Sequence, residues 1–198
     1  GKSTMVKVLC GVHPPDAGAI DYDGQPITFR SPSDAVAVGI VPVFQELSLV
    51  PDLTVAENLF LGAEPRTMIG LVDRRQMNRN AAALLADVGF GGIDPTAVVK
   101  DLPLADRQLV EIAKALGRKP RVLILDEATS ALDVATRDRL FEIVGRMGAE
   151  GAGVIFITHR MDELTQIGDR ITVMRSGETV GTLERGGWTP RELVRMMT

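Results

Sequence analysis

The chain has 198 residues, 45% of them hydrophobic and 24% charged, and carries a formal net charge of −4. This length and apolar content are sufficient to bury a core, and they predict one domain or one domain with a subdomain. The single cysteine, Cys10, excludes an internal disulfide framework and favours a reducing compartment. Both signs of charge are spread along the sequence, which disfavours nucleic-acid binding.

No apolar run approaches the ~18 residues that a membrane-spanning helix needs. The most apolar stretches, such as "RVLILD" and "GVIFIT", are short. The first residues also lack the apolar core of roughly 7 to 15 residues that marks a signal peptide. These patterns predict a soluble protein, or one that is peripheral to a membrane.

The start of the chain alternates short helical and extended patterns. Residues 3–11 have apolar side chains at helical spacing and end at a glycine followed by prolines, in a turn where His13 is interpreted as an ordinary turn residue. The Asp-Gly pair in "AIDYDGQPITF" predicts a β-hairpin. Ser31 or Ser33 can cap the next short helix, and "GIVPVFQ" predicts a strand that ends at Gln45.

Residues 46–117 have a helical pattern, with apolar positions at helical spacing in "DRRQMNRNAAALLADVG" and "ADRQLVEIAKAL". Strand and helix patterns then alternate, as "RVLILD", a helix, "GVIFIT", "RMDELTQI", "RITVMR" and "ETVGTL". This alternation predicts a parallel sheet flanked by helices, with ligands at the carboxyl ends of its strands. Thr189, Pro190 and Glu192 predict a capped final helix. The expected fold is therefore α/β with a helical insertion.

The first four residues, "GKST", match the end of the phosphate-binding motif G-x-x-x-x-G-K-[ST]. In that motif Lys2 would reach the β- and γ-phosphates of a nucleotide, and the Ser3 hydroxyl would ligate Mg²⁺. Four residues alone fit a glycine-capped helix start equally well. The interpretation therefore depends on what else the chain contains.

Two carboxylates directly follow an apolar strand in "RVLILDEATSALD". Charge at the end of a buried strand is costly unless it is paired or bound to a metal. Phosphoryl transfer supplies a reason: Asp126 would hold Mg²⁺ through its water shell, and Glu127 would polarise the attacking water as the catalytic base. The plainer alternative is a strand that ends in a solvated acidic loop.

His159 and Gln45 also follow predicted core strands. His159 comes directly after "VIFIT", where its side chain would be within reach of a γ-phosphate, and it is the second candidate catalytic residue. The neutral amide of Gln45 can orient water or complete a metal shell without adding charge. Each of these two residues is weak evidence when taken alone.

Taken together, these motifs resemble those of the ATP-binding-cassette (ABC) ATPases. The resemblance is carried by Gly1 to Thr4, Gln45, "LPLADRQLVEIAKAL", "LILDEATSALD" and "ITHR", which occur in the order and spacing of that family. More narrowly, "FQELSLVPDLTVAENLFLG" and "ITHRMDEL" resemble the first cassette of the tandem ATPases that power bacterial uptake of ribose, xylose, galactose and similar sugars.

The resemblance implies a P-loop NTPase core that binds ATP and Mg²⁺. The positions implied to bind ATP are Gly1, Lys2, Ser3, Thr4, Gln45 and Asp126, and those implied to bind Mg²⁺ are Ser3, Gln45 and Asp126. Gln45 would also sense the γ-phosphate and couple to the membrane subunit. Glu127 would be the base, His159 the switch histidine, and Asp133 part of the loop that contacts the opposite cassette.

The resemblance also implies the organisation and the partners. The core of one ABC ATPase domain would comprise residues 1–45 and 118–185, with an α-helical subdomain in residues 46–117. Residues 186–198 would form a final helix or a bridge to a second cassette. The helical subdomain would contact an integral membrane permease at the cytoplasmic face of the cell membrane, and a sugar-binding protein would act indirectly. No nucleic-acid partner is expected.

The signature segment departs from the family, in which Leu-Ser-Gly-Gly-Gln is usual. This chain has instead Leu102, Pro103, Leu104, Ala105 and Asp106. Pro103 lacks a hydroxyl and a backbone N–H, and Leu104 and Ala105 replace glycines that let the backbone approach a ligand. Asp106 adds a negative charge that would repel phosphate. Acting in trans, this degenerate segment is expected to complete a site that hydrolyses ATP slowly or not at all.

The chain is expected to begin inside the phosphate-binding motif, without the N-terminal strands and the adenine-stacking aromatic residue of the family. Much of the row of backbone N–H groups that holds the phosphates would then be missing, so this stretch alone is expected to bind ATP poorly and to be inactive. The expected role is that of an ATPase subunit that energises sugar import. The alternatives are a catalytically weak regulatory cassette and a non-transport ABC ATPase.

Overall fold

The structure, a computed structural model, describes residues 1–197. Its helices are α1 (Lys2–Leu9), α2 (Pro32–Ala37), α3 (Val55–Leu59), α4 (Arg74–Asp87), α5 (Leu104–Gly117), α6 (Val134–Ala149), α7 (Met161–Ile167) and α8 (Pro190–Met197), with a 3₁₀ turn at Val99–Asp101. Its strands are β1 (Ile20–Tyr22), β2 (Gln25–Ile27), β3 (Ile40–Val43), β4 (Val122–Asp126), β5 (Gly153–Ile157), β6 (Arg170–Arg175) and β7 (Glu178–Glu184). Within residues 1–197, none of the helices combines the length and the apolar character needed to cross a membrane.

The central sheet is parallel, with the strand order β3-β4-β5. Leu123, Ile124 and Leu125 of the middle strand are fully buried. Leu123 and Leu125 pack into one hydrophobic cluster and Ile124 packs into another, because successive side chains of a strand point to opposite faces. A strand covered on both faces reads as a nearly continuous apolar run. The predicted parallel α/β core is confirmed.

The helix α1 packs against the second of these clusters through Val6 and Cys10. Burial raises the pKa of the Cys10 thiol to about 11, so the thiol stays protonated and unreactive near neutral pH. Cys10 is therefore a small core residue. The next helix, α2, begins with a capping box between Ser31 and Asp34, which identifies Ser31 as the cap.

The stretch predicted to be helical contains α3, α4 and α5. In α3, the buried Asn58 amide donates to the Val50 carbonyl at 3.0 Å and accepts from the Val50 N–H at 2.7 Å. In α5, Glu111 accepts from the Ser48 hydroxyl at 2.5 Å. These bonds hold the loop after Gln45 against the helices. The division of the chain into a core, a helical subdomain and a bridge stays a prediction.

The strands β6 and β7 do not extend the parallel sheet. The prediction of a parallel sheet is therefore wrong for these two strands. They form a separate antiparallel pair. The two residues between them, Ser176 and Gly177, have φ values of +53° and +90°. Positive φ at both positions is typical of the two-residue hairpin turn that matches strand twist, and such a turn forces the second strand to run antiparallel to the first.

This hairpin has a small hydrophobic cluster of its own with α8. Ile171, Val173 and Leu193 are its buried members, and the half-buried Trp188 packs against them. The predicted capping box at the start of α8 is present, since Thr189 and Glu192 exchange hydrogen bonds between side chain and backbone. The hairpin and α8 are thus packed through a core distinct from the two that cover the central sheet.

Candidate functional site

Glu127 and His159 come together at the carboxyl end of the central sheet. Glu127 directly follows β4, and His159 lies two residues after the neighbouring strand β5. His159 Nδ1 lies 3.4 Å from Glu127 Oε1, and the backbone N–H of Glu127 donates to the Ile157 carbonyl at 3.0 Å. The structure therefore brings the two candidate catalytic side chains into contact range.

The backbone of Glu127 is left-handed, with a φ of +53°. This conformation costs a non-glycine residue roughly 1–2 kcal/mol, and it persists only where the surroundings fix it. Strain of this kind is concentrated at functional sites. Because the chain turns sharply here, the Glu127 side chain leaves the sheet and stays 25% exposed, which makes its carboxylate accessible to a ligand.

Asp126, the last residue of β4, is buried at the same edge. Burial, and then the Glu127 carboxylate, raise the pKa of Asp126, while the ammonium group of Lys2 lowers it. The Asp126 anion thus lies in surroundings that destabilise it, and a divalent cation nearby would offset that cost. In residues 1–197, His, Cys, Asp and Glu side chains do not gather in groups of three that could hold a metal ion. The mixed oxygen donors of Asp126, Ser3 and Gln45 do suit Mg²⁺.

Lys2, the first residue of α1, lies near enough to Asp126 to lower the pKa of its carboxyl group. No side chain caps this end of α1, and Ser3 and Thr4 in its first turn are exposed. Uncapped N–H groups at a helix start are a favourable place for a phosphate group. Gly1, directly before the helix, is also exposed.

Gln45 lies on the other side of β4. Val43 of β3 pairs with Leu125, and Gln45 and Glu127 each follow two residues after that pair. The Gln45 side chain is exposed. It therefore emerges at the same edge as the carboxylates, as the sequence predicts for residues that end parallel strands.

The signature segment lies elsewhere, at the start of α5. Leu102 precedes Pro103, the N-cap residue of α5, and Leu104, Ala105 and Asp106 form its first turn. No side chain caps this helix start. In the described part of the chain, no hydrogen bond or ion pair joins this segment to Glu127, His159 or Lys2.

Asp133 caps the next helix, α6. Its carboxylate accepts a hydrogen bond from the Thr136 N–H at 2.8 Å. This bond is the main reason that the pKa of Asp133 lies below its ordinary value. Asp133 thus fixes the end of the loop that begins at Glu127.

The sequence matches a known family over most of this site. A family model described as ABC transporter matches residues 1–130. The chain belongs to the ABC transporter family. The ribose import ATP-binding protein RbsA 1 of Mesorhizobium japonicum is 48% identical over 197 residues, a match that covers 100% of this chain and 38% of that relative. The protein of the same name from Rubrobacter xylanophilus is 50% identical, with 100% and 39% covered. The chain thus spans about two fifths of the length of these relatives.

Solved structures of ABC cassettes share the fold. A nucleotide-free ATP-binding cassette from an ABC transporter gives a TM-score of 0.78 at 23% identity, over 98% of this chain and 78% of that one. A dimeric ATP-binding cassette bound to ADP and phosphate gives a TM-score of 0.80 at 24% identity, over 95% and 82%. The predicted P-loop fold of an ABC ATPase is confirmed.

Sequence reasoning did not identify three polar residues, Thr129, Thr158 and Glu163, that connect the loops of this site by hydrogen bonds. Thr129 and Thr158, in the loops that carry Glu127 and His159, both donate to Glu163 of α7. An acidic residue in the first turn of a helix is ordinarily a solvated residue that interacts with the helix dipole. Thr158 and Glu163 are five residues apart, which does not match the three-residue spacing of a capping box, so no local pattern identified this pair.

Proposed function

We propose that this chain is the nucleotide-binding cassette of an ATPase that energises sugar import through a membrane permease. The observation that carries the ATPase proposal is the meeting of Asp126, Glu127 and His159 at one sheet edge beside Lys2. The sugar-import proposal is supported by the names of relatives at 48% and 50% identity.

Each side chain at this edge has a task that its chemistry suits. Lys2 and the first N–H groups of α1 bind and orient the phosphates of ATP. The Glu127 carboxylate accepts the proton of the attacking water, and His159 keeps that carboxylate in place through the Nδ1 contact at 3.4 Å. Mg²⁺, held by Asp126 with Ser3 and Gln45, would supply positive charge beside the transferred phosphoryl group.

The proposed assembly has two cassettes that close face to face. Each ATP would lie between the phosphate-binding residues of one cassette and the signature segment of the other. Gly1 to Thr4 would therefore use the partner's signature, and the segment from Leu102 to Asp106 would act on the partner's nucleotide. Asp133 would lie at the contact between cassettes. Because Pro103 offers no N–H and Asp106 is an anion, the partner's site would be the slow one.

The remaining partners follow from the same proposal. The helical segment in residues 46–117 would dock on permease subunits at the cytoplasmic face of the membrane, with Gln45 linking the nucleotide to that contact. A sugar-binding protein on the other side would select the substrate. Uptake of radiolabelled ribose by the natural full-length protein, reconstituted with its permease and binding protein, tests the sugar.

A second candidate function is a regulatory cassette that binds nucleotide and hydrolyses it poorly. The observation in its favour is the degenerate helix start at Pro103. The positions of Glu127 and His159 favour hydrolysis instead. Single-turnover hydrolysis, compared with the affinity for ATP, separates the two candidates.

The decisive experiment changes Glu127 to Gln in the natural full-length protein. We expect phosphate release to fall about 10²- to 10⁴-fold, because a general base is lost, while ATP binding remains. Glu142→Gln, on the exposed face of α6, is the matched control and is expected to leave the rate unchanged. If phosphate release continues at the wild-type rate in Glu127→Gln, the assignment of this site is refuted.

A further inference from the structure

A single buried carboxylate connects the two loops that carry Glu127 and His159. Glu163, in the first turn of α7, has 0% of its surface exposed. Its Oε1 accepts from Thr129 Oγ1 at 2.8 Å, and its Oε2 accepts from Thr158 Oγ1 at 2.6 Å. Thr129 lies two residues after Glu127, and Thr158 directly precedes His159. The two oxygens of one side chain thus reach both catalytic loops.

The loop of His159 is held on both sides by this cluster. Thr158 Oγ1 also accepts from the backbone N–H of Arg160 at 3.0 Å. The Arg160 side chain returns to the same carboxylate, with Nε 3.4 Å from Glu163 Oε1. His159 therefore lies between two residues that are both tied to Glu163, so its backbone cannot shift far without breaking one of these bonds.

The helix α7 has a second anchor that does not involve Glu163. Asp162 pairs with Arg137 of α6, and the Arg137 side chain is 9% exposed. Arg137 also lies over the ring of Phe141, 5.7 Å from its centroid. Removal of the Glu163 carboxylate should therefore leave α7 docked on α6, so that its effect on the loops can be measured in a folded protein.

Packing alone does not account for a carboxylate at this position. A charge taken out of water costs several kcal/mol, and an apolar side chain of similar volume is frequently more stabilising in a core. Unlike an apolar side chain, the carboxylate orients its neighbours, because each of its two oxygens accepts a hydrogen bond from one threonine hydroxyl. Both threonines, Thr129 and Thr158, are themselves buried, so water does not compete for these bonds.

We propose that Glu163 is a positioning residue for ATP hydrolysis. Through its two threonine partners it keeps the loops of Glu127 and His159 in the arrangement that places these two side chains 3.4 Å apart. It also couples the loop that ends at Asp133 to the loop of His159, so that a shift of one moves the other. This inference rests on the proposed ATPase function.

The test measures ATP turnover in the natural full-length protein with Glu163→Gln. We expect kcat to fall about 10- to 100-fold, because misplaced catalytic groups cost that much, with the KM for ATP changed less than about 2-fold. Glu142→Gln is the control. It removes an exposed carboxylate of α6 that bonds to neither catalytic loop, and it should leave kcat unchanged.

A double-mutant cycle separates positioning from general stabilisation. If Glu163 acts partly through His159, then Glu163→Gln should lower kcat by a smaller factor in His159→Ala than in the wild type, because the two effects are not independent. Thr158→Val and Thr129→Val, which each remove one hydroxyl, should reproduce part of the loss and serve if Glu163→Gln does not fold.

The possible outcomes distinguish this inference from the function on which it rests. A full-length wild-type protein that does not hydrolyse ATP overturns both. An active wild type whose rate is unchanged by Glu163→Gln, or by both threonine variants, overturns the role of Glu163 alone. Full additivity with His159→Ala also overturns it.

Discussion

His159 Nδ1 lies 3.4 Å from Glu127 Oε1 although 32 residues separate the two in the chain. The contact exists because β4 and β5 are parallel neighbours, so that both strands end at the same edge. A histidine beside a catalytic carboxylate can hold it in the orientation that accepts a proton from water.

We predict that His159→Ala lowers phosphate release by the natural full-length protein about 10- to 100-fold. The side chain of His159 is 66% exposed, so the melting temperature should stay close to that of the wild type. His13, the other histidine of the chain, provides the control, and His13→Ala should leave both quantities unchanged. A rate within 2-fold of the wild type for His159→Ala would contradict the prediction.

Restoring the usual signature should accelerate the slow site. We predict that Pro103→Ser, Leu104→Gly and Ala105→Gly together raise ATP turnover, because they return a hydroxyl, an N–H and close backbone approach to a phosphate. Leu104 is 60% exposed, so little packing is lost. The measurement is best made with Glu127→Gln present, since the residual turnover then comes from the partner's site. If this residual turnover does not rise, the proposal for the segment from Leu102 to Asp106 is contradicted.

Acid should weaken the helical segment through Glu57. The Thr54 N–H, and then the Thr54 hydroxyl, hold the pKa of Glu57 below its ordinary 4.5. The unfolded chain therefore binds this proton more readily than the folded chain does, and the stabilisation is fully present above about pH 5 and lost as the pH falls through 4.5 and below. We predict that Glu57→Gln flattens the acid side of a plot of unfolding free energy against pH, whereas Glu142→Gln does not. Parallel curves for the wild type and Glu57→Gln would contradict this.

The end of α5 offers a stability test that does not touch the site. Lys119 has a φ of +50° just after the C-cap residue Arg118, a position that glycine usually occupies. We predict that Lys119→Gly stabilises the protein by about 0.5–1 kcal/mol, because the strain of a side chain in this conformation outweighs the added flexibility of the unfolded chain. Arg118→Gly, where φ is −81°, should instead destabilise it. Urea titration of both variants measures the difference.

Local signals predicted those features whose cause is local. The apolar run of β4, the Asp-Gly turn that joins the antiparallel strands β1 and β2, and the caps at Ser31 and Thr189 each depend on residues close together in the chain. The places of Gln45, Asp126 and His159 were predictable too, because parallel strands bring their carboxyl ends together.

Features that depend on tertiary neighbours were not predictable. The alternation of strands and helices does not reveal that β6 and β7 lie outside the central sheet, although the Ser176-Gly177 pair is a local sign that they pair with each other. It also does not reveal that Glu163 is buried, because Thr129 and Thr158 reach it only once α7 has packed behind the sheet. The left-handed backbone of Glu127 has no local signature, as this residue type usually avoids it.

The separate cluster of the β6–β7 hairpin and α8 has a practical consequence for spectroscopy. Trp188 is the one tryptophan of the sequence, and it packs in this cluster rather than against the central sheet. Its fluorescence therefore reports on the melting of the hairpin, α8 and the side of α7 that carries Met161 and Leu164, and reports on the central sheet only indirectly. A transition seen by tryptophan emission can then precede the one seen by circular dichroism of the central sheet, and the two should be recorded together.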